Sequence, residues 1–148
     1  MKRRVLVDLN VILDVLLDRA PHAEASAALW AALECGEGEG LLAAHSVTTL
    51  HDLAARSADR AFGDRCVADV LSVFSVAPLD AAILAEALAM GWADFEGAVC
   101  VASARSAGCH LIATRDPLGF KRSAIPALAP REALVAIRSR FASGHTPS

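Results

Sequence analysis

A chain of 148 residues, 55% hydrophobic and 21% charged, with a formal net charge of −3, holds one domain's worth of sequence and enough apolar matter for its own core. Those figures exclude intrinsic disorder, which needs low hydrophobicity or high net charge. They also exclude a membrane span: the most apolar stretch, Val76 to Ala93, meets Asp80 and Glu86 before the ~20 apolar residues a span requires.

Along the chain, basic Lys2-Arg3-Arg4 leads into an apolar run that reaches Asp8 after three residues, too short for a signal-peptide core, so a cytoplasmic location is expected. Arg4 to Val7 reads as a buried strand. Asp14 and Asp18 then read as solvated-face residues of a following helix. After Pro21, Ala25, Ala28, Leu29, Ala32 and Leu33 recur at helical spacing, and the run Gly36 to Gly40 ends that helix. Leu41 to Ala44 is a second strand, after which Ser46 is placed to cap a helix running towards Arg56. Further helices are expected at 62–73, 80–91 (capped by Asp80), 94–107 (capped by Asp94) and 131–141, with Pro130 in the first turn. Val73 to Ala77, Cys109 to Ala113 and a short edge at Ile125 to Leu128 complete the strands. The 32 alanines agree with so much helix. Strands alternating with helices predict the α/β class, a parallel sheet covered on both faces.

Cys35, Cys66, Cys100 and Cys109 form no CxxC pair and have no histidines at zinc spacing, so they read as buried small hydrophobes in a reducing compartment. Burial is also the simplest reading of His110, within a strand candidate, while His45 and His51 read as helix-start and surface histidines. The net charge conceals an asymmetry. Residues 1–104 carry 7 Lys+Arg against 15 Asp+Glu, and residues 105–148 carry 7 against 2.

In open parallel sheets, chemistry gathers outside the carboxyl ends of the strands. That rule selects Asp8 with Asn10, the segment His45 to Thr49, and Thr114-Arg115-Asp116. Asp8 directly follows Val5-Leu6-Val7, where apolar neighbours favour the protonated acid unless a cation is present. Asp116 holds the same place after Cys109–Ala113, and Asp94 and Glu96 lie in the first turn of a helix. If these groups converge, two carboxylates about 4 Å apart repel by roughly 4 kcal/mol at a protein surface's effective dielectric. Mg2+ or Mn2+, which prefer oxygen ligands, relieves that repulsion. Plainer duties are also open: Asp94 as a helix cap, Glu96 as a complement to the helix dipole, and Asp116-Pro117 as a turn.

Asp8-Leu9-Asn10-Val11-Ile12-Leu13-Asp14, with Arg19 beyond it, resembles the opening of a PIN-domain protein, the family that includes VapC-type toxins. Asp94-Phe95-Glu96-Gly97-Ala98-Val99 is similar to that family's acidic helix start. Leu111 through Asp116, with Phe120, resembles its last strand and final acid, and Ile125-Pro126 through Leu134 its closing strand and helix. The resemblance implies a three-layer α/β/α fold as one PIN-like domain over residues 1–141, with a loose tail at 142–148. It also implies a metal-dependent endoribonuclease that cleaves RNA phosphodiesters with metal-activated water.

On that reading Asp8, Asp94, Glu96 and Asp116 are the catalytic acids and the ligands of Mg2+ or Mn2+. Asn10, Thr49, Asp52 and Thr114 support them. Two positions depart from the family's pattern: Thr49 stands where an acid is usual, and Gly97 replaces the second acid of a Glu-Asp pair, with Asp94 placed to supply a carboxylate instead. The partners implied are an RNA substrate, a small antitoxin protein and a second copy in a homodimer, and no membrane. Arg115, Lys121 and Arg122 flank Asp116 and are the expected RNA-backbone contacts, whereas Arg138 and Arg140 suit a solvated helix face. The alternative is a degenerate member that binds RNA or a protein without cutting. A fainter likeness to haloacid-dehalogenase phosphatases fails at Asn10 and Ile12. No glycine-rich nucleotide motif is present.

Overall fold

In the computed structural model, which describes residues 2–143 with side chains through Ser139, strands and helices alternate along the chain. The strands are β1 (Arg4–Val7), β2 (Glu39–Ala43), β3 (Ser75–Ala77), β4 (Leu111–Ala113) and β5 (Ala127–Leu128). The helices are α1 (Leu9–Leu16), α2 (Ala23–Glu34), α3 (Ala44–Ser57), α4 (Arg60–Val73), α5 (Ala81–Ala89), α6 (Phe95–Ser106) and α7 (Pro130–Ser143), with a 3-10 turn at Pro117–Phe120. All strand pairings are parallel, in the order β3-β2-β1-β4-β5.

The sheet is covered on both faces, so its strands are apolar throughout and alternate sides residue by residue. Val5 and Val7 point into a core shared with Leu29, Leu50, Val70 and Ile137, drawn from α2, α3, α4 and α7. Leu6, between them, faces Val101, Ala104 and Ile112 on the other side, where α6 lies. Ile83 and Ala87 of α5 pack on Ala98 and Ala102 of α6, so the small alanine side chains let that outer pair approach closely. This is the three-layer α/β/α arrangement, with β1 at its centre.

The element boundaries depart from the sequence reading in instructive ways. Ser46 does not cap a helix. β2 runs without a loop into α3, which starts at Ala44 behind an uncapped Ala43, and Ser46 is buried in its first turn. The second helix of that hairpin starts earlier than expected because Asp59 accepts from the Phe62 N–H. Asp80 and Asp94 do cap α5 and α6. α7 continues through Ser143, and residues 144–148 lie outside the described residues.

Three burial readings are corrected. Asp14 is not on a solvated face; it is 0% exposed, because two arginines described below neutralise it. α1 ends at Leu16, so Asp18 is an exposed residue beyond the helix, at φ 48°. Cys35 is exposed while Cys66, Cys100 and Cys109 are buried. His110 is exposed too, sitting just before β4, where its Nδ1 accepts from the Arg4 N–H at 2.8 Å. Among the described residues no helix is long and apolar enough to cross a membrane.

Candidate active site

The chain lays β2 and β3 on one side of β1 and β4 and β5 on the other. The direction of winding therefore reverses between β1 and β4, and the segments leaving those two strands diverge to open a crevice. The Asp8 N–H still donates to the Ala113 carbonyl at 2.8 Å, which ties the two exits together. A cavity of about 370 Å3 opens there, and its walls include Asp8, Asn10, Asp94, Glu96, Arg115 and Asp116. A larger cavity, about 530 Å3, lies where the strands begin, against Lys2, Arg4, Glu39 and His110; it gathers no set of carboxylates.

Each acid is positioned by a helix start. Asp8 caps α1, with Oδ1 accepting from the Leu9 N–H at 2.8 Å, while Oδ2 accepts from the Thr114 hydroxyl at 2.8 Å. The sequence alone offered no structural duty for Asp8; the cap and the Thr114 bond are such duties. Asp94 Oδ1 accepts from the Gly97 N–H at 3.2 Å, and Asp116 Oδ1 from the Gly119 N–H at 3.3 Å. Positive helix ends favour the ionised carboxylates. Thr114, wholly buried, also accepts from the Asp116 N–H, so one hydroxyl fixes both Asp8 and the turn carrying Asp116.

The glycines complete this device. A Cβ at Gly97 would lie 3.0 Å from Asp94 Oδ2, and one at Gly119 would lie 2.6 Å from Asp116 Oδ2. Each aspartate therefore rests its second oxygen over a bare glycine Cα, and a side chain at either position would press on that oxygen. At Gly97, the Asp94 carboxylate occupies the space in which a side chain at position 97 would begin.

The electrostatics are those of crowded carboxylates. Burial pushes the Asp8 carboxyl above its ordinary value of 3.8, and the negative charges of Glu96 and Asp94 raise it further, against the opposing bonds from Thr114 and Leu9. Cys100, also in the cavity wall, has its thiol pushed far up by burial and by Asp8, Glu96 and Asp94. All four acids offer oxygen, the donor a hard divalent cation takes, and their mutual repulsion is what such a cation relieves. The donor chemistry thus fits Mg2+ or Mn2+. Among the described residues, though, no three His, Cys, Asp or Glu side chains are close enough together to form a ligand shell.

Arg19 and Arg115 line the same cavity, and their joint pairing on Asp14 was not revealed by the sequence. Arg19 Nε donates to Asp14 Oδ1 at 3.1 Å, and Arg115 Nε lies 2.7 Å from Asp14 Oδ2, an ion pair without an aligned hydrogen bond. Asn10 binds both arginines: its carbonyl accepts from Arg19 Nη2 at 3.5 Å, and its Oδ1 accepts from the Arg115 N–H at 3.3 Å. A buried aspartate with paired arginines leaves no hydropathy signal. The available clue was the i, i+5 spacing of Asp14 and Arg19 where α1 ends.

Thr49 and Asp52 stand apart from this cavity. The Thr49 hydroxyl donates back to the His45 carbonyl, and exposed Asp52 pairs with Arg56 one turn along α3. Lys121 and Arg122 are exposed just beyond the 3-10 turn and do not line the cavity. His45 approaches the site from α3, its Nε2 3.8 Å from Cys100 Sγ, while His51 Nε2 lies 2.7 Å from Asp64 Oδ1. Arg138 pairs with Glu37, and Arg140 lies outside the described side chains.

A winding reversal with acids at both strand exits is the layout of a PIN domain. The PIN-domain family model matches residues 4–117, and the chain belongs to that family. Among solved structures, VapC20 of Mycobacterium tuberculosis, a sarcin–ricin loop cleaving toxin, superposes with a TM-score of 0.61 at 17% identity, over 73% of this chain and 86% of that one. FitAcB from Neisseria gonorrhoeae gives 0.59 at 20% identity, over 85% and 97%. VapBC2 from Rickettsia felis, bound to a DNA fragment from their promoter, gives 0.64 at 11%, over 84% and 96%. At these identities the likeness is one of fold. No curated protein matches the chain.

Proposed function

We propose that the chain is a metal-dependent endoribonuclease and the toxin of a toxin–antitoxin pair, acting in the cytoplasm. The observation that carries this reading is the gathering of Asp8, Asp94, Glu96 and Asp116 around one cavity at the winding reversal, with Asp8 held partly out of water. Asp8 and Asp116, aided by Glu96 and by Asp94 in the place of an acid at 97, would hold Mg2+ or Mn2+. When bound, such an ion supplies activation of water and stabilisation of charge on the phosphate and leaving oxygen.

The chain's own residues do the positioning. Thr114 holds the Asp8 carboxylate and the Asp116 turn in register. Asn10 ties the end of β4 to α1 through the Arg115 N–H. Asp8, Asp94 and Asp116 each accept a backbone N–H at the start of α1, α6 or the 3-10 turn, which fixes their carboxylates. The acidic site must still admit a polyanion, and a cation bound among the carboxylates reverses the local sign. The toxin role draws support from VapC20, a sarcin–ricin loop cleaving toxin of the same fold. A small antitoxin and a homodimer are part of the proposal.

A second reading, a PIN fold that binds RNA or a protein without cutting, rests on Gly97, which brings no carboxylate, and on the cap that occupies Asp94 Oδ1. Incubating structured RNA with the chain and millimolar Mn2+ separates the two. The first reading predicts cleavage that Asp8→Asn abolishes. Intact RNA in the presence of folded wild-type chain favours the second.

A further inference from the structure

We infer that Arg19 and Arg115, held by Asp14, form a clamp for one phosphodiester group in the cavity that the acids line. The inference rests on the nuclease reading; it keeps Arg115 from the three basic residues expected to meet RNA, adds Arg19, and assigns the substrate phosphate to this pair instead of Lys121 and Arg122.

Both arginines line the acid cavity, yet neither pairs with any of its acids. Their charge is balanced by Asp14, which stands behind them at 0% exposure, so one carboxylate offsets two guanidinium groups and the cluster keeps net positive charge. Side chains introduced only to neutralise Asp8, Asp94, Glu96 or Asp116 would bond to them. Instead the guanidinium groups are anchored on buried Asp14, and the two side chains remain 40% and 30% exposed.

Anchoring leaves donors over. Arg19 uses Nε on Asp14 and Nη2 on the Asn10 carbonyl, and Arg115 sets only Nε against Asp14. The remaining N–H groups suit the planar, bidentate recognition of phosphate oxygens that guanidinium groups favour. Asp14 and Asn10 act through the arginines and are positioning residues. Because the forks are held before substrate arrives, less side-chain entropy is lost when a phosphate binds.

Acids and anchored arginines line one cavity, so a backbone phosphate there meets guanidinium donors and, with a cation bound, the positive charge that the cation brings. Lys121 and Arg122 lie outside this cavity and would touch only phosphates further along the strand.

The test measures binding of a single-stranded RNA oligonucleotide in the presence of a chelator, which stops metal-dependent cleavage, across a salt series, alongside Mn2+ calorimetry and thermal melting. Arg19→Gln and Arg115→Gln are made singly, so that Asp14 always retains one partner. The clamp predicts that each variant melts as a folded protein and loses at least about tenfold in oligonucleotide affinity. Its log–log salt slope should flatten by about 0.7, the loss of one single-strand phosphate contact. Mn2+ affinity should hold or rise, and Arg19→Lys should restore the slope. Unchanged slopes in both variants would overturn the clamp, as would parallel loss of RNA and Mn2+ binding, or a wild-type chain that holds no oligonucleotide at low salt. A wild type that binds with the expected slopes but never cleaves would defeat the nuclease reading alone.

Discussion

Asp8 is the residue on which the site turns, and its chemistry sets opposite demands. As a cap it is stabilising, but burial and two neighbouring carboxylates raise its carboxyl in the folded chain. An acid raised on folding binds more protons folded than unfolded, so its ionisation erodes stability as pH rises from 3.8 through the folded value. Asp8→Asn should therefore melt higher than wild type near pH 7 in the presence of a chelator, and the gain should vanish below about pH 3.8, where both forms are neutral. Saturating Mn2+ should reverse the order by stabilising only the wild type. A melting series over pH, with and without Mn2+, checks both signs.

Asp14 makes a contrasting demand. Removing its charge leaves two arginines that already reach water, so Asp14→Asn should cost about 1–3 kcal/mol in urea denaturation. Removing both arginines strands a buried carboxylate and should cost more, about 3–5 kcal/mol. The reverse ranking would show that the cluster's stability rests in the guanidinium packing instead of the buried charge.

At the scale of elements, the site is a meeting of helix starts. The α6 start illustrates how a departure from a family pattern can be filled locally. Glycine in a first turn ordinarily loses up to about 1 kcal/mol against alanine, yet here a Cβ would press on Asp94 Oδ2 at 3.0 Å. Gly97→Ala should therefore bring no stability gain. Exchanging the acids, with Asp94→Ser to keep the cap and Gly97→Asp to move the carboxylate, should retain Mn2+ affinity that Asp94→Ser alone loses. Calorimetry on the two variants decides; undiminished affinity in Asp94→Ser would mean that Asp94 acts only as a cap, and equal loss in both that a carboxylate at 97 cannot replace it.

Much of this scale could be read from residue order. Asp80 and Asp94 were legible as caps because an acid sits immediately before a helical run. Ser46 misled because the chain turns straight from β2 into α3, a connection whose only local signal is small alanines at 43 and 44. Asp8 and Asp116 were legible through the carboxyl-end rule, which needs only strand positions, and Asp94 and Glu96 through the acidic helix start and its family resemblance. The Asp14 pairing was not legible, since Arg115 follows β4, next to β1 in the sheet but about a hundred residues later in sequence. Asp52 looked placed for the site by spacing, yet α3 turns it outward to Arg56.

For the whole molecule, the acidic and basic parts of the chain meet in one cavity, lined by Asp8, Asp94, Glu96 and Arg19 from the first and Arg115 and Asp116 from the second. The sheet holds that geometry, and Ile112, wholly buried beside Leu6 in the core between β4 and α6, is where it is most exposed to damage. Ile112→Ala should cost about 2–5 kcal/mol in chemical denaturation. Further along a bound strand, exposed Lys121 and Arg122 remain the proposed outer contacts. Replacing both with alanine should weaken RNA binding without changing Mn2+ affinity.

The central claim is that the carboxylates at the winding reversal hold a divalent ion. Titrating Mn2+ calorimetrically into the wild-type chain and into Asp8→Asn tests it most directly. Saturable binding in the wild type that disappears in Asp8→Asn is the expected result. No binding at millimolar Mn2+, or equal binding by the two proteins, would contradict it.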